Sequence, residues 1–145
     1  MTDIPILASI LIRLDGGIQR IGEFCGCGGS RFHKQIREAG LSPTEYLKAA
    51  RAAARRTGYT PSSLDFSDDS IHKLQITAPD GRVVRFGRVG YGDFLLWSAL
   101  EAGGKAPTGK AAQKRRTFRK SHTAIKGDWK NDRYSPNWLA IRILW

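Results

Sequence analysis

At 145 residues the chain has the length of one ordinary domain, and its 41% hydrophobic residues, with four Trp, four Tyr and six Phe, can furnish a core, which excludes a wholly disordered tail. The formal charge of +11 is far from the globular average and favours a polyanionic partner or an acidic protein surface. That surplus is regional: residues 105–133 hold ten Lys or Arg against Asp128 and Asp132, whereas residues 1–104 hold thirteen bases against eleven acids.

In chain order, "IPILASILIRL" (residues 4–14) is apolar but far short of the roughly 20 residues of a membrane-spanning helix. It has Asp3 where a signal peptide would carry a base, so a buried helix or strand is expected and a membrane partner is not. "EFCGCGGSRFHK" (residues 23–34) then raises the possibility of chemistry. Cys25 and Cys27 are the only cysteines, and a bridge between them would close a strained ring across one glycine, which fits a reduced, intracellular setting. With His33 they offer three zinc ligands where a structural site needs four. A redox pair would want two intervening residues, and Gly26, Gly28 and Gly29 match neither the Walker nor the dinucleotide pattern. The expectation is a glycine joint, with no metal, no cofactor and no catalytic residue.

"LSPTEYLKAARAAARRTG" predicts a helix over 43–56: Ser42 as N-cap, Pro43 at the first position, Glu45 completing a capping box, Gly58 as the stop. Tyr46, Leu47, Ala50 and Ala54 fall on a core face; Lys48, Arg51 and Arg55 form a basic stripe. Residues 60–70 read as an acidic connector pinned by Leu64 and Phe66, with Asp65, Asp68 and Asp69 too irregular for a calcium loop. "IHKLQIT" and "RVVRF" alternate in polarity about Asp80-Gly81 and predict a hairpin. Residues 94–100 suit a third strand or a short helix, and residues 111–120 are helix-prone. Ser135-Pro136 repeats the helix-opening device ahead of "WLAIRILW", whose tryptophans, Trp138 and Trp145, are expected to be buried. The chain's last carboxylate, lodged among apolar groups, then needs a basic partner such as Arg142 or one from residues 114–120.

"KRRTFRKSHTAIKGDWKNDRY" interleaves Phe118, Trp129 and Tyr134 with bases. Lys and Arg neutralise phosphates, and rings stack on bases or pack on a partner. Candidate partner- or phosphate-binding residues are Lys114, Arg115, Arg116, Arg119, Lys120, Lys126 and Lys130. Candidate apolar contacts are Trp129, Trp138, Leu144 and Trp145. No helix-turn-helix, zinc-finger or RNA-binding signature aligns.

"IHKLQITAPDGRVVRFGRVGYGDF", followed by "FRKSH", "DW" and "SPNWLAIRILW", resembles a small basic domain encoded by large double-stranded DNA viruses of eukaryotes and their polinton-like and virophage relatives. The shared order is a lysine-bearing strand, a Pro-Asp-Gly turn, a strand ending in Phe-Gly, a Gly-Tyr-x-Asp-Phe element, a basic run and a Leu-Trp end, over residues 71–145. The resemblance implies a non-enzymatic virion component, a minor capsid or cement protein assembled in the host cell interior, with other capsid proteins as partners and no small-molecule substrate. The competing expectation, from the basic segment, is a protein that packages viral nucleic acid. The predicted fold class is α+β. A helical N-terminal region (1–59) is followed by the acidic linker (60–70), then by a basic hairpin-centred module (71–145) with a helix-prone C-terminal region.

Overall fold

The computed structural model describes residues 29–145, and within them Arg31–Trp145 makes one compact unit. Cys25, Cys27 and the apolar segment 4–14 lie outside the described residues. The class is α+β. The described residues form five α-helices and one three-stranded antiparallel sheet: α1 (Gly29–Glu38), α2 (Pro43–Arg56), β1 (Leu64–Phe66), β2 (His72–Thr77), β3 (Val83–Arg88), α3 (Phe94–Ala102), α4 (Lys110–Thr123) and α5 (Pro136–Leu139).

The boundaries of α2 follow from its ends. Ser42 Oγ accepts from the Glu45 amide at 3.1 Å while the Glu45 carboxylate accepts from the Ser42 amide at 2.8 Å, so two amides that helix geometry leaves orphaned are satisfied reciprocally. Tyr46, Ala50, Ala53 and Ala54 are buried. Of the basic stripe, Lys48 and Arg55 stay exposed, but Arg51 Nε donates to the Leu64 carbonyl at 3.0 Å and ties α2 to the sheet.

The hairpin is present, with Leu74 opposite Phe86 and Ile76 opposite Val84. Leu74, Ile76 and Phe86 are buried, as the period-2 pattern requires. Two expectations change. Residues 60–70 are more than a connector: a 3₁₀ turn at Pro61–Ser63 leads into β1, which pairs with β2 through Leu64–Ile76 and Phe66–Leu74 and carries Leu64 fully into the core. Residues 94–100 form α3, because the Asp93 carboxylate accepts from the Leu96 amide at 2.9 Å and caps a helix there. In the former glycine joint, helix α1 already begins at Gly29.

Helix α4 has Gly109 at its N-cap, which offers no side chain, and Glu101 of α3 takes over the task. Its carboxylate accepts from the amides of Gly109 and Ala111 at 2.9 and 3.0 Å, which lowers its pKa. At the end of the chain Ser135 Oγ accepts from the Trp138 amide, opening α5, which continues as a π-helical turn over Ala140–Leu144. Leu139, Ile141, Ile143, Leu144 and Trp145 are buried, whereas Trp138 is only half-buried.

The most deeply buried polar group is an ion pair. Lys73 Nζ lies 2.8 Å from Asp93 Oδ2, with side-chain exposures of 1% and 0%, and the Tyr46 hydroxyl donates to the same oxygen at 2.6 Å. Burial, then the Asp93 charge, push the Tyr46 phenol pKa well up, so it stays a donor. Gly87, at φ +76°, lies against Lys73; a Cβ there would come within 2.7 Å of Leu144 Cδ1 and 3.3 Å of the lysine stem, so this position admits only glycine. Lys73→Met strands a buried carboxylate and should cost about 3–5 kcal/mol in urea denaturation. The double change Lys73→Met, Asp93→Asn should cost less than the two single changes combined. A neutral Lys73→Met would show that the pair does not hold the fold.

Candidate functional site

Where the sequence places bases in a run, the helix sorts them into three directions. Arg115 and Arg119 reach the chain's last residue, Arg119 while remaining exposed: Arg115 Nε donates to the Trp145 carbonyl oxygen at 2.6 Å and an Arg119 amino group donates to it at 2.9 Å. The Arg115 guanidinium also covers the Phe94 ring at 3.6 Å. The basic partner expected for the chain's last residue is thus this pair. Arg142 instead covers Trp138 at 4.0 Å. Burial, then the neighbouring charges of Arg119 and Arg56, lower the Arg115 pKa. Arg115 and Arg119, expected as partner-binding residues, thus also hold the chain's last residue in place.

Arg116 and Lys120 point to the exposed side of α4. The ion pairs among the described residues use Lys73, His72, Arg82 and Arg85, so no side chain of α4 is matched by an Asp or Glu there. Lys114 takes the third direction, onto the Trp97 ring at 5.2 Å. Lys126 and Lys130 are exposed beyond the helix, Lys130 lying 5.4 Å from the Trp129 ring. Trp129 meets Trp138 edge to face at 5.0 Å, while its indole N–H donates to the Ile125 carbonyl.

Between the hairpin, α4 and the C-terminal helical turn lies a cleft of about 1020 Å³. The α4 face that lines it is Lys114, Thr117, Phe118, Ser121 and His122, spaced for one helical stripe. Phe118 is stacked on His122 (3.6 Å, 12° between planes) and on Trp145 (4.7 Å, 14°). Arg88, Tyr91 and Trp97 come from the far wall, and no Asp or Glu lines the cleft. Three of the four exposed large hydrophobic residues among those described, Ile71, Tyr91 and Ile125, belong to it. Of the candidate site residues, the cleft gathers Lys114, Trp129, Leu144 and Trp145; Arg116, Lys120, Lys126 and Lys130 lie outside its lining.

Comparison with protein families, curated proteins and solved structures finds no match to the chain. What the site can do therefore rests on its geometry.

The carboxylates near the hairpin are committed elsewhere. Asp68 pairs with Arg85 at 2.8 Å, and Asp69 meets His72 Nδ1 at 2.7 Å while accepting from the amides of Ile71 and His72. Desolvation opposes the Asp69 charge, but these bonds, with one from Ser67, outweigh it and hold the carboxyl well below the usual range. Among the described residues no cluster of three metal-ligating side chains forms. His33, considered at first as a ligand, packs its ring on Phe66 at 4.6 Å, and its Nε2 is buried without a partner. Burial first, and the Arg37 charge second, lower its pKa to about 4.

Of the far wall, Tyr91 lies in the Gly-Tyr-x-Asp-Phe element, whereas Arg88 and Trp97 were not singled out by sequence. Each is an isolated residue in a glycine-rich turn or an apolar run. Only Tyr91, between Gly90 and Gly92 with no apolar periodicity around it, offers a signal.

A histidine whose folded pKa is lowered favours the unfolded state once protons bind. Stability should be unaffected above pH 6.5 and should fall as pH drops from about 6.5 to about 4, by at most about 1.4 kcal/mol per pH unit. His33→Phe should flatten that slope in denaturant titrations at a series of pH values; an unchanged slope would assign it to another group.

Proposed function

We propose that this chain is a non-enzymatic virion component that contacts nucleic acid through the outward face of α4. The observation that carries the reading is the outward face of α4, where Arg116 and Lys120 stand exposed and no Asp or Glu pairs with a side chain of the helix among the described residues. Unpaired cations on one rigid face are what polyphosphate binding requires, since each phosphate neutralised releases counterions. The apolar end of the chain, which would otherwise favour insertion into a neighbouring shell protein, is used on the protein's own core through Leu139, Ile143, Leu144 and Trp145. The virion setting rests on the resemblance of residues 71–145.

A second reading, a cement protein bridging capsid subunits, draws support from the exposure of Ile71, Tyr91 and Ile125 around one cleft. The two differ in their response to salt. For nucleic acid, log affinity should fall linearly with log salt, with a slope of about −0.9 per phosphate contacted on a duplex. Arg116→Ala with Lys120→Ala should make that slope shallower by about 2, because two contacts are lost. Binding isotherms at several salt concentrations measure both quantities. Absence of nucleic-acid binding at low salt, with salt-resistant retention on emptied particles, would overturn the proposal in favour of the cement protein.

A further inference from the structure

The outward face of α4 accounts for phosphate contacts but leaves the cleft unused, and the cleft's chemistry is different. Its walls are ring-rich, free of carboxylates and edged by cations. Tyr91 is 67% exposed, an unusual position for a large ring. Trp97 lines the same wall from α3 with Lys114 over its ring, and the stacked set of Trp145, Phe118 and His122 lies on the α4 side. Arg88 is exposed at the end of β3 on the same cleft, and its neighbour Arg85 is already paired with Asp68.

Rings in this number, beside cations and without a carboxylate, match a ligand that is flat, aromatic and anionic at once. Duplex nucleic acid offers phosphates but keeps its bases stacked inside. A single strand offers both, and each base has a face that stacks on a side-chain ring whatever its sequence. An acidic peptide would supply the charge but not the series of flat rings. The volume, about 1020 Å³, reaches the upper limit of ordinary small-molecule pockets, as a site for several linked units requires.

Resting on the nucleic-acid reading above, we infer that the cleft is a stacking site for unpaired bases, so that the protein prefers single-stranded nucleic acid, or the melted part of a duplex, to an intact duplex. Bases stack on Tyr91 and Trp97, with the backbone along Arg88 and Lys114, while Arg116 and Lys120 meet phosphates outside the cleft in either form.

The test uses the full chain, a labelled thymidine strand of about 12 nucleotides, and a duplex of the same length, followed by anisotropy and by quenching of indole fluorescence. Tyr91→Ala removes an exposed ring and leaves the core intact; Trp97→Leu is the second variant, and thermal unfolding checks that both fold. Tyr91→Ala should weaken single-strand binding at least about fivefold, the lower end of what one stacked base contributes, with duplex binding unchanged. The wild-type protein should show indole quenching with the single strand only. If single strand and duplex bind alike and neither variant changes either, the cleft inference is overturned while the α4 reading stands. If wild-type protein binds neither, the reading beneath it fails too, and the cleft inference with it.

Discussion

The contact on which the rest of this structure depends is the buried carboxylate of Asp93. One oxygen receives the Lys73 ammonium and the Tyr46 hydroxyl, and the other receives the Leu96 amide. Three elements, α2, β2 and α3, are thereby fixed at one point with almost no exposure to water. Removing two charges from water costs several kcal/mol per ion, and the attraction between them offsets this only when their hydrogen-bonding capacity is filled. Here it is filled on the carboxylate side by three donors. Such an arrangement tolerates little displacement, so α3 starts where Asp93 is held. Trp97 on α3 and, through the cap that Glu101 gives α4, the whole basic helix inherit that position.

Seen from this point, the large positive charge divides into two populations. Lys73, Arg82, Arg85, Arg115, Arg119 and Arg133 are used internally. Lys73, Arg82 and Arg85 pair with Asp93, Asp132 and Asp68, Arg115 and Arg119 hold the Trp145 carbonyl, and Arg133 donates to the Gly58 carbonyl. Each fixes a long-range junction of the chain. Arg51, Arg31 and Lys105 also reach distant carbonyls, of Leu64, Ser70 and Glu38, whereas Arg116 and Lys120 have no such task among the described residues. A basic composition therefore overstates the charge available to a partner, and the face that remains is narrower and better defined than the run "KRRTFRKSH" suggests. The cleft adjoins this face because α4 contributes one stripe to each.

The legible parts of the fold were those whose cause is local. The capping box of Ser42 and Glu45 fixes α2 within a few residues of sequence, the Asp80-Gly81 turn fixes the hairpin, and Ser135-Pro136 opens α5. Strand β1 was not legible, because three residues between acidic and Ser-rich flanks carry no period; it forms only because β2 offers Leu64 and Phe66 a partner. Helix α3 was ambiguous because its residues are apolar on nearly every side, and a carboxylate fixed from elsewhere in the fold decides it. In the candidate site, the cleft brings together Lys114, which the sequence offers for phosphate or partner contact, and Trp129, Leu144 and Trp145, which it offers for apolar contact. The bonds of Arg115 and Arg119 to residue 145 depend on where that residue arrives from across the fold, and the far wall of the cleft joins Tyr91 of the Gly-Tyr-x-Asp-Phe element to Arg88 and Trp97, which no motif marks as its companions.

An amide proton–nitrogen correlation spectrum recorded during titration with a short single strand tests the account most directly, since it reports every backbone position at once. Shifts should be confined to α4 from Lys114 to His122, to Arg88–Trp97 and to the segment around Trp129, with Tyr46 and the rest of α2 unmoved because the Asp93 junction stays closed. Shifts spread over α2 and β1 with α4 silent, or a spectrum unchanged at saturating strand, would contradict it.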